Sequence, residues 1–236
     1  MSKRRELIER RRDQERRQTL VILVVIAVIA VVLVGGAIIL SNKPEAPATA
    51  SVVPTPPAAE EGGRAWGPVD APIKVEEWLD YQCPACGAYN RSFESNVIAA
   101  FATTGKVRYE VHSFSFIGQE SIDAAQAALC AVDQNKFWQM HNSLFANQNG
   151  ENQGGFTKAR LKTIAASVGL EAGAFNTCLD SGKYLTKATQ EHDDAIKAGV
   201  QQTPSFIVNG TVHAGTMSAD DFKKLFAQIA PDVKFQ

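Results

Sequence analysis

Cys83 and Cys86 stand two residues apart in the stretch YQCPACGAYN, with Pro84 and Ala85 between them. Three chemistries use such a pair. It can supply half of a zinc site, close a small structural disulfide, or cycle between dithiol and disulfide against another protein. A zinc site asks for a second pair of ligands. Cys130 and Cys178 are far apart in sequence and belong to no second pair, and His112, His141, His192 and His213 are scattered. A structural bridge across a two-residue loop constrains very little chain. Redox exchange is therefore the favoured reading, with zinc and a plain structural bridge as the alternatives.

The elements around the pair strengthen it. Residues 73–79, IKVEEWL, are rich in β-formers and follow Pro68 and Pro72, which predicts a strand. After Cys86, the residues Ala88, Phe93, Val97, Ile98 and Phe101 recur at helical spacing, with Gly105 as a stop. Cys83 is thus expected where a strand ends and a helix begins, with Pro84 in the first turn, where proline is tolerated. The unpaired N–H groups of a helix start favour a thiolate, lowering its pKa below the free value of ~8.5. Cys83 becomes the nucleophile and leaving group, and Cys86, a turn inside, the buried resolving partner.

Residues 107–116, VRYEVHSFSF, alternate and predict a second strand. Helices are expected over 120–133, 136–147, 157–168, 171–181 and 183–199, broken by the polar stretch 146–155. Asn209-Gly210, between two short β-rich runs, is a two-residue hairpin signal, and Ser218 caps a closing helix over 218–230.

The N-terminal segments differ in kind. Residues 1–17 carry eight basic and four acidic side chains. Leu20 to Leu40 is apolar throughout and, at ~1.5 Å per residue, spans about 30 Å, the thickness of a bilayer core. The run exceeds the apolar core of a cleavable signal, roughly 7–15 residues, so it reads as an uncleaved anchor, with cleavage at Ala48-Thr49-Ala50 beyond the run as the alternative. The basic end stays cytoplasmic by the positive-inside rule and is not read as a nucleic-acid arm. The division is then a basic tail (1–19), a transmembrane anchor (20–40), a Pro/Ala-rich tether (41–65) and an outward domain (66–236). An outward domain lies in an oxidising compartment, periplasmic or extracellular, where an even number of cysteines favours pairing.

The stretches GPVDAPIKVEEWLDYQCPACGAYN (67–90) and GVQQTPSFIVNGTVHAG (199–215) resemble those of the DsbA-like thiol–disulfide oxidoreductases of the thioredoxin superfamily, in a membrane-anchored form. The resemblance implies an α/β thioredoxin fold with a helical insertion over about 118–200, preceded by a single transmembrane helix. It implies that Cys83 is the exposed nucleophile and Cys86 the resolving cysteine. It places Pro84, Ala85, Thr203 and Pro204 against substrate, with Thr203-Pro204 in cis. Glu77, on the strand face of Val75 and Leu79, matches the family's buried acid and is expected to relay a proton to Cys86. Its alternative is a solvated glutamate, and Asp80 competes for the role. The expected partners are reduced or unfolded secreted proteins and a membrane reoxidase of DsbB or VKOR type, with no metal or organic cofactor. Pro84-Ala85 departs from the oxidases that carry a histidine between the cysteines, which points to a less oxidising couple.

Cys130 and Cys178 fall in separate amphipathic helices and are expected to pair as a structural staple worth about 3–4 kcal/mol. The alternative is two buried free thiols. Trp78, Phe114, Phe116, Trp138 and Phe145 are expected in the core, with groove lining as the alternative. Two other functions stay open: an extracytoplasmic reductase or isomerase, and a redox-inactive tethered binding module.

Overall fold

The computed structural model describes residues 63–235 and, earlier in the chain, Arg17, Leu20, Leu23 and residues 25–30. Those early residues are helical, and their apolar side chains are exposed. Most of the expected anchor (20–40) and all of the tether up to residue 62 lie outside the described residues. Among the described residues no helix is long and apolar enough to cross a membrane.

The domain is built on a five-stranded sheet in the order β1-β3-β2-β4-β5. β1 is Ala65–Trp66, β2 Ile73–Leu79, β3 Val107–Ser113, β4 Ser205–Val208 and β5 Thr211–Ala214. β2 runs parallel to β3, and the remaining pairings are antiparallel. The central strand β2 alternates as its sequence asks. Ile73, Val75, Glu77 and Leu79 enter one face, while Lys74 is exposed. The Asn209-Gly210 turn closes the β4–β5 hairpin with both residues at positive φ (46° and 84°), as a tight hairpin of this kind requires.

A continuous helical run joins β2 to β3. It comprises α1 (Pro84–Tyr89), a π-helical turn (Asn90–Glu94) and α2 (Ser95–Phe101). Between β3 and β4 lies the helical insertion: α3 (Gln119–Val132), α4 (Phe137–Ala146), α5 (Lys158–Ser167), α6 (Ala172–Asp180) and α7 (Leu185–Lys197). α8 (Ala219–Ile229) closes the fold. Ser218 and Asp221 form a reciprocal capping box at its start, and Phe222 and Phe226 are buried.

Four details differ from the sequence reading. The tether does not run to residue 65. Ala65 pairs with Glu110, and the Arg64 guanidinium bonds the buried Glu191 of α7 at 2.5 Å, fixing β1 to the insertion. β3 ends at Ser113 and not at 116, because the N–H groups of Phe116 and Ile117 turn to the Asp80 carboxylate at 3.0 and 3.1 Å. That turn leaves Phe116 48% exposed, so it is not a core residue, whereas Trp78, Phe114, Trp138 and Phe145 are buried. Finally, the π turn adds a residue to the helical repeat. Buried positions step from Cys86 and Tyr89 to Glu94, then to Val97, Ile98 and Phe101, leaving Ala88 and Phe93 exposed.

Cys130 of α3 and Cys178 of α6 are joined by a disulfide that links the two helices.

Candidate active site

Cys83 occupies the N-cap of α1 in an extended conformation, with Pro84 behind it in the first turn. Its N–H donates to Asp80 O, and its carbonyl accepts from Gly87 N, so β2 hands over to the helix without a loose residue. Both active-site cysteines are free thiols. Cys86 is fully buried, and Cys83, expected to be exposed, is only 8% so, while Pro84 and Ala85 beside it face solvent. The Cys83 thiol lies 3.5 Å from Thr203 O, and the Thr203–Pro204 peptide is cis. The site thus brings Cys83, Cys86, Thr203 and Pro204 together at one end of the sheet, where the end of β2 lies beside the start of its antiparallel neighbour β4.

The two sulfurs are held in opposite electrostatic states. A hydrogen bond from the Cys86 thiol, opposed by burial, and further donation from Thr203 and from the N–H groups of Cys86 and Ala85 bring Cys83 down to about 6. Thr203 Oγ1 has no partner among the described residues in the dithiol and is free to donate once Cys83 ionises. Burial, followed by the neighbouring Cys83, raises Cys86 far above the ordinary thiol range. At neutral pH the first sulfur is a thiolate and the second a thiol.

The Asp80 carboxylate accepts from Gln82 N, Ser121 Oγ, Phe116 N and Ile117 N and so organises the loops beside the cysteines. Glu77 is 1% exposed and accepts from the Tyr109 hydroxyl. Burial first, and then the charge of Glu94, raise its carboxyl well above the usual range.

Sequence reasoning missed three side chains here. Glu94 is 2% exposed and interacts directly with Glu77. Burial raises Glu94 to about 7, against the hydrogen bonds from Glu77 and Asn90. His141 of α4 is buried and neutral, held down to about 4 by desolvation. Its Nε2 lies 3.1 Å from Glu94 and its Nδ1 3.1 Å from the Tyr81 hydroxyl, so a neutral ring donates to the first and accepts from the second. The third is Gln148, just beyond α4, whose Nε2 donates to Tyr81 O at 2.8 Å and to Cys83 O at 3.0 Å. The strand-period pattern marked Glu77. Glu94 stands three, four and seven residues before the buried Val97, Ile98 and Phe101, so the helical repeat on its C-terminal side is the signal that could have found it.

The sequence profile of the thioredoxin family matches residues 59–228. The chain belongs to the thioredoxin family. Among its relatives, a Bacillus cereus protein named probable disulfide bond formation protein D is 30% identical over 150 residues, covering 62% of this chain and 69% of that protein. A Bacillus anthracis protein of the same name is 29% identical over 172 residues, 71% of this chain and 77% of the relative. The crystal structure of oxidised BdbD from Bacillus subtilis superposes with a TM-score of 0.64 at 26% identity, over 74% of this chain and 96% of that one. The thioredoxin-family domain, with its helical insertion and its Cys83–Cys86 pair, is a thiol–disulfide oxidoreductase of the DsbA and BdbD type.

Proposed function

We propose that this protein introduces disulfides into secreted or extracytoplasmic proteins, and that it does so from the outer face of a cell membrane. The observation that carries the direction is the asymmetry of the two sulfurs. A Cys83 brought to about 6 leaves readily as a thiolate, so the dithiol state is stabilised and the disulfide is a donor. The names of the Bacillus relatives support the same direction. In the cycle, a client thiolate attacks Cys83 Sγ of the oxidised pair and Cys86 leaves. A second client thiolate then attacks the client sulfur of the mixed disulfide, and Cys83 leaves as thiolate.

Pro84, Ala85, Thr203 and Pro204 form the wall against which the client chain lies in this reading, and Thr203 supplies its backbone. Glu77 serves the proton traffic of Cys86. The Cys130–Cys178 bridge is structural. The apolar run 20–40 holds the domain to the membrane, with residues 1–19 cytoplasmic and a domain from about 66 periplasmic or extracellular at the end of the 41–65 tether. A membrane reoxidase of DsbB or VKOR type accepts the electrons.

The test is the reduction potential of the Cys83–Cys86 couple in glutathione buffers, with alkylation counting the thiols. A value near about −120 mV, as for DsbA, fits a donor of disulfides, and one near about −270 mV, as for thioredoxin, makes the protein a reductase. Cys83→Ser should abolish exchange in either case. Persistence of the cellular phenotype in that variant would favour the redox-inactive binding module.

A further inference from the structure

The polar stretch 147–155 of the insertion grips the β2–α1 turn at three consecutive residues, Tyr81, Gln82 and Cys83. The side-chain amide of Gln148 has two hydrogens to give. It donates to Tyr81 O at 2.8 Å and to Cys83 O at 3.0 Å. Between these two, the Gln82 side chain is 3% exposed and accepts from Asn152 N at 2.6 Å. It also donates to Ser121 Oγ at 2.9 Å and to Asn152 Oδ1 at 3.3 Å. The stretch is itself anchored to α3, where the Glu120 carboxylate accepts from Gly154 N at 2.8 Å and from Phe156 N at 2.7 Å. α1 leaves room for the clamp. A Cβ at Gly87 would lie 2.0 Å from Gln148 Oε1, so the amide rests where the helix has no side chain.

The plain alternative is that Gln148 only satisfies two turn carbonyls, which water does on an open turn. The electrostatics of the turn ask for more. Two carbonyl oxygens converge on one nitrogen, and one of them belongs to the nucleophile's own residue. Their partial negative charges disfavour a thiolate at Cys83 unless a donor stands between them. The donor also holds Cys83 in its extended N-cap conformation (φ −66°, ψ 120°). From there the sulfur meets the N–H groups of Cys86 and Ala85 and lies against Thr203. The charged and titratable groups around the turn are engaged otherwise. Asp80 accepts from four donors, Arg91 Nη1 donates to Phe145 O at 3.3 Å, and Cys86 is a buried thiol.

We propose that Gln148 is a positioning residue of the exchange reaction: its amide clamps the β2–α1 turn so that Cys83 is held where its thiolate is stabilised. The inference rests on the exchange chemistry proposed above and adds a residue that tunes it. Pro84 and Ala85, between the cysteines, have no polar side chain to offer the sulfur. The insertion supplies a polar contact to the nucleophile's residue from 65 positions further along the chain. Gln148 makes no bond to the sulfur and acts through the Cys83 peptide. Losing the clamp has two effects. The turn loosens, which weakens N–H donation to Cys83, and the carbonyl pair is left without its donor. Both push the ionisation of Cys83 to higher pH.

The test compares variants of the reduced full chain by thiolate absorbance at 240 nm and by the rate at which iodoacetamide alkylates Cys83, each against pH. Gln148→Met keeps the length of the side chain and removes its donors. It should raise the ionisation midpoint of Cys83 by about 0.5–1 in pH. Alkylation at pH 5, where the thiolate is the minor form, should then slow by ~3–10-fold, while the limiting rate at pH 9 is kept. Gln148→Lys restores donors at the same place and should return the midpoint to that of the unmodified protein or below it. Gly87→Ala evicts the glutamine without altering it and should raise the midpoint as Gln148→Met does. The two changes together should shift it no further than either alone. An unmoved or lowered midpoint in Gln148→Met would overturn the proposal. Equal shifts in Gln148→Met and Gln148→Lys would overturn it too, by reducing Gln148 to a filler of space. A protein whose Cys83 forms no mixed disulfide with oxidised glutathione would instead refute the exchange function itself.

Discussion

Replacing Gly87 by alanine should reverse its effect on stability according to what stands at position 148. A Cβ at Gly87 would lie 2.0 Å from Gln148 Oε1 and 2.8 Å from its Cδ, so the glutamine must leave its seat. The nearby Arg91 Nη1, at 3.0 Å, belongs to a surface side chain that can swing away. Displacing Gln148 removes its bonds to Tyr81 O and Cys83 O. At roughly 0.5–1.5 kcal/mol each, the loss is about 1–3 kcal/mol. Against it stands the gain of about 1 kcal/mol for alanine over glycine inside a helix. Gly87→Ala is therefore expected to be neutral to destabilising by about 2 kcal/mol. In a Gln148→Ala background only the tip of Arg91, which donates to Phe145 O at 3.3 Å, is left to shift, and the same change should stabilise by up to about 1 kcal/mol. Urea unfolding of the reduced protein, run on the four members of the cycle, yields a coupling of about 1–3 kcal/mol if the geometry is right. Additivity, with Gly87→Ala stabilising in both backgrounds, would refute the reasoning.

Two further outcomes follow from the site and the insertion. Thiolate absorbance at 240 nm should rise with a midpoint near 6, so Cys83 is mostly ionised at pH 7 and protonated by pH 5. Cys86→Ala removes the leading stabiliser and should move that midpoint up toward the ordinary thiol range. A midpoint unmoved by Cys86→Ala would assign the effect to Thr203 and the backbone N–H groups. Cys130→Ala with Cys178→Ala opens a bridge spanning a sequence separation of 48, worth about 4 kcal/mol by the chain-entropy model. For a domain of this size that is roughly 8–16 °C in Tm, readable by calorimetry. The Cys83 titration should be unchanged in that variant.

The strand–Cys–x–x–Cys–helix junction was legible because each part is local chemistry. β-formers precede Cys83, proline fills the first turn, and apolar residues recur behind it. The hairpin at Asn209-Gly210 and the capped helix after Ser218 were legible for the same reason. What stayed hidden depends on departures from a regular period or on distant partners. Glu94 is in helical phase with Val97, Ile98 and Phe101 but out of phase with Tyr89, because the π turn lies between, and its charge reads as solvated. Phe116 reads as strand until Asp80, thirty-six residues earlier, takes its N–H. Gln148 sits in a polar stretch that reads as a surface break, although its amide holds the backbone of Cys83. β1 is two residues long, too short for any alternation to register, and its anchor Glu191 is far away in sequence.

The recessed position of Cys83 has a consequence for timing. With its residue 8% exposed and the sulfur set against Thr203, the nucleophile is closed to a cysteine lying flat on a finished surface. Only a thiol on a chain segment that can stand away from its own fold reaches it. In the exchange proposed above, such segments belong to clients still being laid down and are lost as a core closes, so the depth of one sulfur would by itself time the reaction to immature chains.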